Sequence, residues 1–438
     1  MNQVELPWGS GESLPLKMPP AWQVVALGQV RSPEPLPCLG AAVRKGLQEP
    51  IGALPLRDLV EPDTRVALVM DDLSRPTPVD RLAPVVLDAL IEAGARPEHI
   101  QGLFAIGTHN PMTQEEMEMR AGSSVLSRIA CHSFDCHDRS AFEVLGETER
   151  GTPVCISRIA AQADLRILLG TIEPHPQAGF GGGFKNLLLG LASAESIGHN
   201  HLLLPSPERY NMTGTVPRAN PMRLDLEAAG RMVAGPTLIV STVLDPSLNP
   251  VTVVCGDAVA AHRFGVRISS ELYGVEVPQR ADVVVTSAYP MDRDLRQAGK
   301  SILNVSGACR PGGVIVTFMR CEEGLENVVL PRLPLPLSFA RAVVRIIGSR
   351  GISALARRIP GAEPEDRFLI NLALNTLKDY HVLVFSNALK RALEGHLPQV
   401  FYDDQERLFA HVERLVGTHR PEVAIFPCGG VSFPVAVT

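Results

Sequence analysis

A histidine between two prolines (His175), a glycine cluster (Gly179, Gly181, Gly182, Gly183), a lysine just beyond it (Lys185) and two histidines flanking an asparagine (His199 and His201 around Asn200) all fall within residues 164–201. Together these types could supply a proton acceptor, a backbone that a ligand approaches closely, an amine that can be acylated and imidazoles that can ligate a metal. A phosphate-cradling loop of the nucleoside triphosphatase kind needs glycine immediately before its lysine and Ser or Thr immediately after it. Phe184 and Asn186 occupy those places, which excludes that reading. What the two kinds of loop share survives: glycines admit a ligand to the backbone, and a helix start favours an anion.

The elements that must position these groups can be read outward from them. The stretch opens on an apolar, β-leaning run (165–169) broken at Gly170, so His175 follows a buried strand in a loop stiffened by proline. The same order of strand, polar loop and helix occurs at 65–70, followed by Asp71-Asp72-Leu73-Ser74-Arg75-Pro76-Thr77-Pro78 and a helix with Val79, Leu82, Val86 and Ile91 on one face. It occurs again at 103–106, followed by Gly107-Thr108-His109-Asn110-Pro111-Met112-Thr113, with Thr113 the N-cap of a helix from Gln114. A further strand is expected at 237–243. Strands alternating with helices imply an α/β fold with mainly parallel sheets, in which ligands bind beyond the carboxyl ends of the strands. Arg75, His109 and His175 all lie there.

The alternation pauses at 267–279 and resumes with an apolar strand at 281–287, so two α/β domains enclosing a cleft are expected: 1–272, and 280–438 with its last segment able to pack back on the first. A helix is expected over 294–309, ended by Pro311-Gly312-Gly313, with Gln297 and Lys300 three apart on one face. Strands are expected at 314–318, 381–385 and 423–426, and the arginine-rich residues 339–358 read as an amphipathic helix with a solvated basic face.

Composition narrows the function class. A chain of 438 residues, 45% hydrophobic, fills more than one core. A formal charge of −6 with no basic run argues against nucleic acid. The N-terminus lacks the pattern of a signal peptide, and no apolar run approaches the ~18 residues of a membrane span. A soluble, cytoplasmic protein is the expectation. Eight scattered cysteines do not form a disulfide framework. The run from Cys131-His132 to Cys136-His137 carries metal-binding types at a spacing that fits no usual zinc pattern. His99, His262, His396 and His419 read as structural.

Taken together, DDLSRPTP at Asp71–Pro78, GTHNPMT at Gly107–Thr113, Pro174-His175, the glycine loop ending at Lys185, Asn200-His201 and the Gln297/Lys300 pair resemble the nickel-dependent lactate racemase family, in the family's order and across most of the chain. The resemblance implies an isomerase that racemises or epimerises a 2-hydroxy acid at C2 by reversible hydride transfer to a nickel-pincer nucleotide, a pyridinium-3,5-bisthiocarboxylic acid mononucleotide holding nickel, made by separate cofactor-synthesis proteins. It further implies that Lys185 forms the covalent tether beside Gly181, Gly182 and Gly183, that His201 ligates nickel, and that His109 and His175 are an acid/base pair. Arg75, Gln297 and Lys300 would hold the substrate, with Asp72 steadying them. An oligomer is compatible with this reading; nucleic acid and membrane partners are not. The family commonly has arginine where Phe184 stands and Pro-Gly where Leu189-Gly190 stands. Two other functions fit the bare residues: a metal hydrolase built on His175, His199 and His201, and a non-catalytic cofactor-binding homologue.

Overall fold

A computed structural model describes residues 4–436 except 10, 32, 326–327, 329–335, 360–362, 364–365 and 394–399; His396 lies outside the described residues. Two six-stranded sheets organise the rest. The first runs in the spatial order Pro250–Asp257, Thr237–Leu244, Leu165–Thr171, Val66–Asp71, Ile100–Ala105, Ala130–His132. All of its pairings are parallel except that of the edge strand Pro250–Asp257. Its central strands are buried along their whole length, as a sheet covered on both faces requires. Alternate residues supply the two cores: Ala67 and Val69 pack with Phe180, Phe184 and Ile197, whereas Val66, Leu68 and Met70 face Leu82, Val86 and Leu90 of the helix Val79–Glu92.

The second sheet is parallel throughout, in the order Phe401–Tyr402, His381–Phe385, Cys309–Phe318, Ala281–Ser287, Glu422–Phe426, Gln23–Leu27. Residues 23–27, expected within a unit spanning 1–272, therefore pair with the second sheet. Their backbone covers the otherwise open edge at Glu422–Phe426, and the adjacent Trp22 stacks edge-on to Phe409 at 5.2 Å. At the other end of the chain, Phe433 lies edge-on to Phe180 at 5.9 Å, beside the glycine loop.

Two expectations are corrected. The helix expected over 294–309 is broken at Gly299 into Leu295–Ala298 and Lys300–Val305, followed by a 3₁₀ turn Ser306–Ala308. Pro311-Gly312-Gly313 lies inside the strand Cys309–Phe318: Ala281 pairs with Cys309 and Val283 with Val314, so the intervening residues bulge, with Gly312 at φ 82°. The arginine-rich helix is present as Leu337–Ala356, interrupted at Gly348, but its basic face is mixed: Ile346 and Phe339 are exposed while Arg341 is buried. No described helix is long and apolar enough to cross a membrane.

Candidate active site

Three neighbouring strands of the first sheet end at Thr171, Asp71 and Ala105, and each passes its chain into one of the loops singled out above. In the middle loop Asp71 anchors the backbone, accepting from Thr77 Oγ1 at 2.6 Å and from the Arg120 guanidinium. Asp72 then points its carboxylate across to the next loop. Its Oδ2 is hydrogen-bonded to His109 Nδ1, and its Oδ1 accepts from Ser74 Oγ at 2.6 Å and Ser74 N at 3.2 Å. Burial works against the charge on Asp72, but the His109 hydrogen bond and the positive groups around it prevail and hold its pKa at about 2. The His109 ring is thereby fixed from behind. Its loop leads into the helix Gln114–Ala121, which Thr113 caps reciprocally with Glu116, as expected.

The third loop is a short hairpin in which Pro174-His175 pairs with Gly179-Phe180. His175 is buried, and its Nδ1 accepts the backbone N–H of Gln177 at 3.3 Å and of Ala178 at 3.2 Å. Burial, followed by the charges of Lys185, Lys300 and Arg75, holds its pKa well below the ordinary imidazole value. Gly182 and Gly183 have φ of 72° and 63°, two consecutive left-handed residues that swing the chain round to Lys185. Behind this turn Arg223 donates to the carbonyls of Phe180 and Gly182, and His262 Nε2 donates to that of Gly181 at 2.8 Å. Three successive carbonyls are thus tied back into the scaffold. Phe184 is buried against Gly230, where a β-carbon would stand 2.3 Å from its ring. The position that carries arginine in the resembled family therefore faces the core here.

Lys185 has its pKa pushed far down, first by burial and then by Arg75, Lys300 and Arg223, with Glu173 opposing. Burial thus favours the uncharged, nucleophilic form of the amine. His201 ends the helix Ala194–His201; its Nδ1–H donates to the Ile197 carbonyl at 2.9 Å and its ring stacks on Phe368 at 4.3 Å. Burial and the nearby Lys185 lower its pKa to about 3. An imidazole held by Nδ1 with a bare Nε2 is the usual presentation of a histidine ligand to a metal. His199 turns elsewhere, its Nδ1 paired with Thr152 Oγ1 at 2.9 Å. Among the described residues, the His/Cys/Asp/Glu group whose ligand atoms lie within 4.8 Å of one another is Asp135, Cys136 and His137, so His175, His199 and His201 do not form a three-histidine metal site.

The second sheet contributes the loop after Ala281–Ser287. Asp294 caps the next turn by accepting Gln297 N at 2.8 Å, and Lys300 Nζ donates to Gln297 Oε1. Burial, reinforced by Arg75 and opposed by Glu173, brings the Lys300 pKa to about 7. Arg296 donates to Thr108 Oγ1 at 3.0 Å and Arg293 to the Leu73 carbonyl at 3.2 Å, joining this loop to the two loops that carry His109 and Arg75. Asp72, Arg75, His109 and Gln297 line one cavity of about 410 Å³. Arg75 also borders the tight recess behind it that holds Glu173, His175, Gly181, Gly182 and Lys185.

Sequence reasoning missed Glu173, Arg223 and His262 as parts of this site. Glu173 Oε1 lies 3.9 Å from Arg75 Nη1, while its buried Oε2 and Arg75 Nη1 lack hydrogen-bond partners. The one available signal for Glu173 was its place in the His175 loop; nothing local marks Arg223 or His262. With Asp72 committed to His109, the carboxylates acting on Arg75, Lys185 and Lys300 are Glu173 and, at Lys300, Asp294, fewer than the cations, so the recess suits an anionic ligand.

Comparison with known proteins points to one family. Residues 9–212 match the family model described as the lactate racemase N-terminal domain. The lactate racemase of Thermoanaerobacterium thermosaccharolyticum is 31% identical over 284 residues, and that of Lactiplantibacillus plantarum 30% over 286; each alignment covers 64% of this chain and 66% of the relative. The lactate racemase apoprotein structure from T. thermosaccharolyticum superposes with a TM-score of 0.81 at 23% identity, covering 99% of this chain and 100% of that one. A Thermotoga maritima protein superposes with a TM-score of 0.66 at 17% identity, covering 93% and 100%.

Proposed function

The chain belongs to the lactate racemase family, and from that premise we propose that it racemises or epimerises a 2-hydroxy acid at C2 by reversible hydride transfer, using a nickel-pincer nucleotide tethered through Lys185. The observation that supports this best is the close grouping of the buried Lys185 amine, whose pKa is pushed well down, with the imidazoles of His175 and His201 and with Arg75 and Lys300, cations from both sheets. The donor set fits the group: Lys185 can be acylated, His201 offers a bare Nε2 to nickel, and Gly181, Gly182 and Gly183 let the nucleotide approach the backbone. When bound, that group supplies an acceptor and donor for the C2 hydride. Cofactor-synthesis proteins would have to provide it.

The chain's own residues bind, orient and move the proton. Arg75 and Lys300 hold the substrate carboxylate, the guanidinium as a fork and the ammonium as a point charge. Gln297, held by Lys300, orients the hydroxyl, and Asp72 steadies His109. His109 and His175 act on the substrate oxygen as an acid/base pair while C2 becomes planar. A C2 proton in such an acid is too weakly acidic to remove without strong enolate stabilisation, which favours hydride over proton abstraction. A C2-deuterated substrate racemised in ordinary water should keep its label. Washout of deuterium at the rate of racemisation would refute the hydride route.

A further inference from the structure

The amino edge of the second sheet lies one strand length, roughly 20 Å, from the carboxyl edge that carries the Gln297 loop, and it gathers cations that the proposed reaction does not use. The strands Ala281–Ser287, Cys309–Phe318 and His381–Phe385 begin there side by side, with Ala281 paired to Cys309 and His381 to Val314. The helix Leu337–Ala356 brings Arg341 and, one turn on, Arg345 to the same edge. Burial first, and then the charges of these two arginines, lower the His381 pKa to about 4. Arg345 Nε donates to the Lys378 carbonyl at 3.2 Å, and its Nη2 comes within 3.8 Å of the place a β-carbon on Gly312 would take. Arg341 is 5% exposed, and its Nε, Nη1 and Nη2 are all buried without a hydrogen-bond partner.

A buried guanidinium without acceptors is strongly destabilising, and the carboxylates of this edge are committed elsewhere. Asp282 pairs with Arg310 at 3.0 Å and accepts Glu422 N at 2.9 Å. Asp379 pairs with Lys378 at 3.0 Å and accepts the Tyr210 hydroxyl at 2.9 Å. Hydrophobic burial does not explain the inward turn of Arg341 either, since the same helix leaves Phe339 53% and Ile346 86% exposed. An acceptor from outside the chain does explain it. We propose that this edge holds a small oxyanion of the phosphate class, taken up by Arg341 with Arg345 beside it. A carboxylate is satisfied by one guanidinium fork, whereas the oxygens of a phosphate accept from two. Arg345 and Arg310 stand exposed at the rim, the side from which the anion enters. Once bound, it fastens the helix Leu337–Ala356 to the strand starts. The same helix is tied through Ser349 to Lys378 of the helix Arg367–Asp379, whose Phe368 stacks on His201.

The test uses the full-length apoprotein and inorganic phosphate, against sodium chloride of equal ionic strength. Thermal unfolding should shift upward along a saturating curve, by about 3 °C once phosphate is at about a hundred times its Kd. Hydrogen exchange should show new protection at 337–347 and 378–382. Arg341→Met should abolish both effects and, with no buried charge left to satisfy, melt at or above the phosphate-free wild type. Arg350→Gln, at an exposed arginine 3.7 Å from Glu208, should keep both effects. A thermal shift that Arg341→Met retains overturns the proposal, because it would be the general action of an excluded salt or binding elsewhere. Protection confined to the glycine loop at 179–185 also overturns it, by placing the phosphate in the Lys185 recess. Should Arg341→Met fail to fold, the wild-type exchange pattern decides alone: protection at 337–347 and 378–382 that saturates with phosphate sustains the site, and its absence overturns it.

Discussion

Replacing Asp72 with asparagine changes the tautomer of His109 with almost no change of shape. Asp72 is 5% exposed, with Oδ1 held by Ser74 and Oδ2 facing His109 Nδ1. Asparagine would keep its oxygen on Ser74 and present its NH₂ to Nδ1, which must then accept. The ring proton moves to Nε2, and the cleft meets an N–H where it had a lone pair. The same exchange behind the catalytic imidazole of a serine protease costs ~10⁴ in kcat, about 5.5 kcal/mol of barrier at ~1.4 kcal/mol per tenfold. The substitution also removes a stabilising charge. The Asp72 pKa of about 2 lies below its ordinary 3.8, so ionisation favours the folded state by about 2 kcal/mol. That stabilisation is complete above the unfolded value and is lost as pH falls through the folded one. The assays are racemisation by loaded protein, read as enantiomer ratio against time, and thermal unfolding of the apoprotein from pH 7 to pH 2. Asp72→Asn should be nearly inactive, melt lower at pH 7 and lose less stability between pH 4 and pH 2 than the wild type. A variant within tenfold of wild-type kcat would refute the argument that the carboxylate sets the His109 tautomer.

Other outcomes follow from the same recess. Protein loaded with cofactor should gain mass on the peptide containing Lys185, and Lys185→Ala should abolish the gain; an adduct on another lysine would move the tether. His201→Ala should lose nickel while His199→Ala, whose imidazole is engaged by Thr152, keeps it, as read by metal analysis of the purified proteins. With a Lys300 pKa of about 7, lowered from 10.5, the ammonium is present below that pH and lost above it. KM for the 2-hydroxy acid should therefore rise as pH passes 7, and Glu173→Gln, which removes a charge that favours the ammonium, should shift the rise to lower pH. A KM independent of pH between 6 and 8.5 would show that Lys300 does not hold the carboxylate.

What was legible in the sequence is what consecutive residues encode. The apolar runs at 65–70, 165–169 and 281–287 have one way to be buried, as strands covered on both faces, and the observed strands Val66–Asp71, Leu165–Thr171 and Ala281–Ser287 follow within two residues. Thr113 and Glu116 are three apart, so their capping box is local. Because parallel strands put their carboxyl ends on one edge, alternation alone brings the loops of Arg75, His109 and His175 together. The break at Gly299 and the bulge at Pro311-Gly312-Gly313 were misread because glycine and proline mark interruption without saying of which element.

The chemistry of the groups was decided only when the sheets closed. Asp72 and His109 are 37 residues apart, and the two amides behind His175 become acceptors' partners only within its hairpin. Arg223 and His262 reach the glycine loop from 41 and 81 residues away, and Phe184 turns inward because Gly230 leaves room for its ring. The lowered pKa values of Lys185 and Lys300 come from burial and the charge of Arg75, with Glu173 opposing at both. Residue types in a sequence set which protonation states are available. Desolvation and the direction of each neighbouring donor select among them, and both are properties of three-dimensional packing.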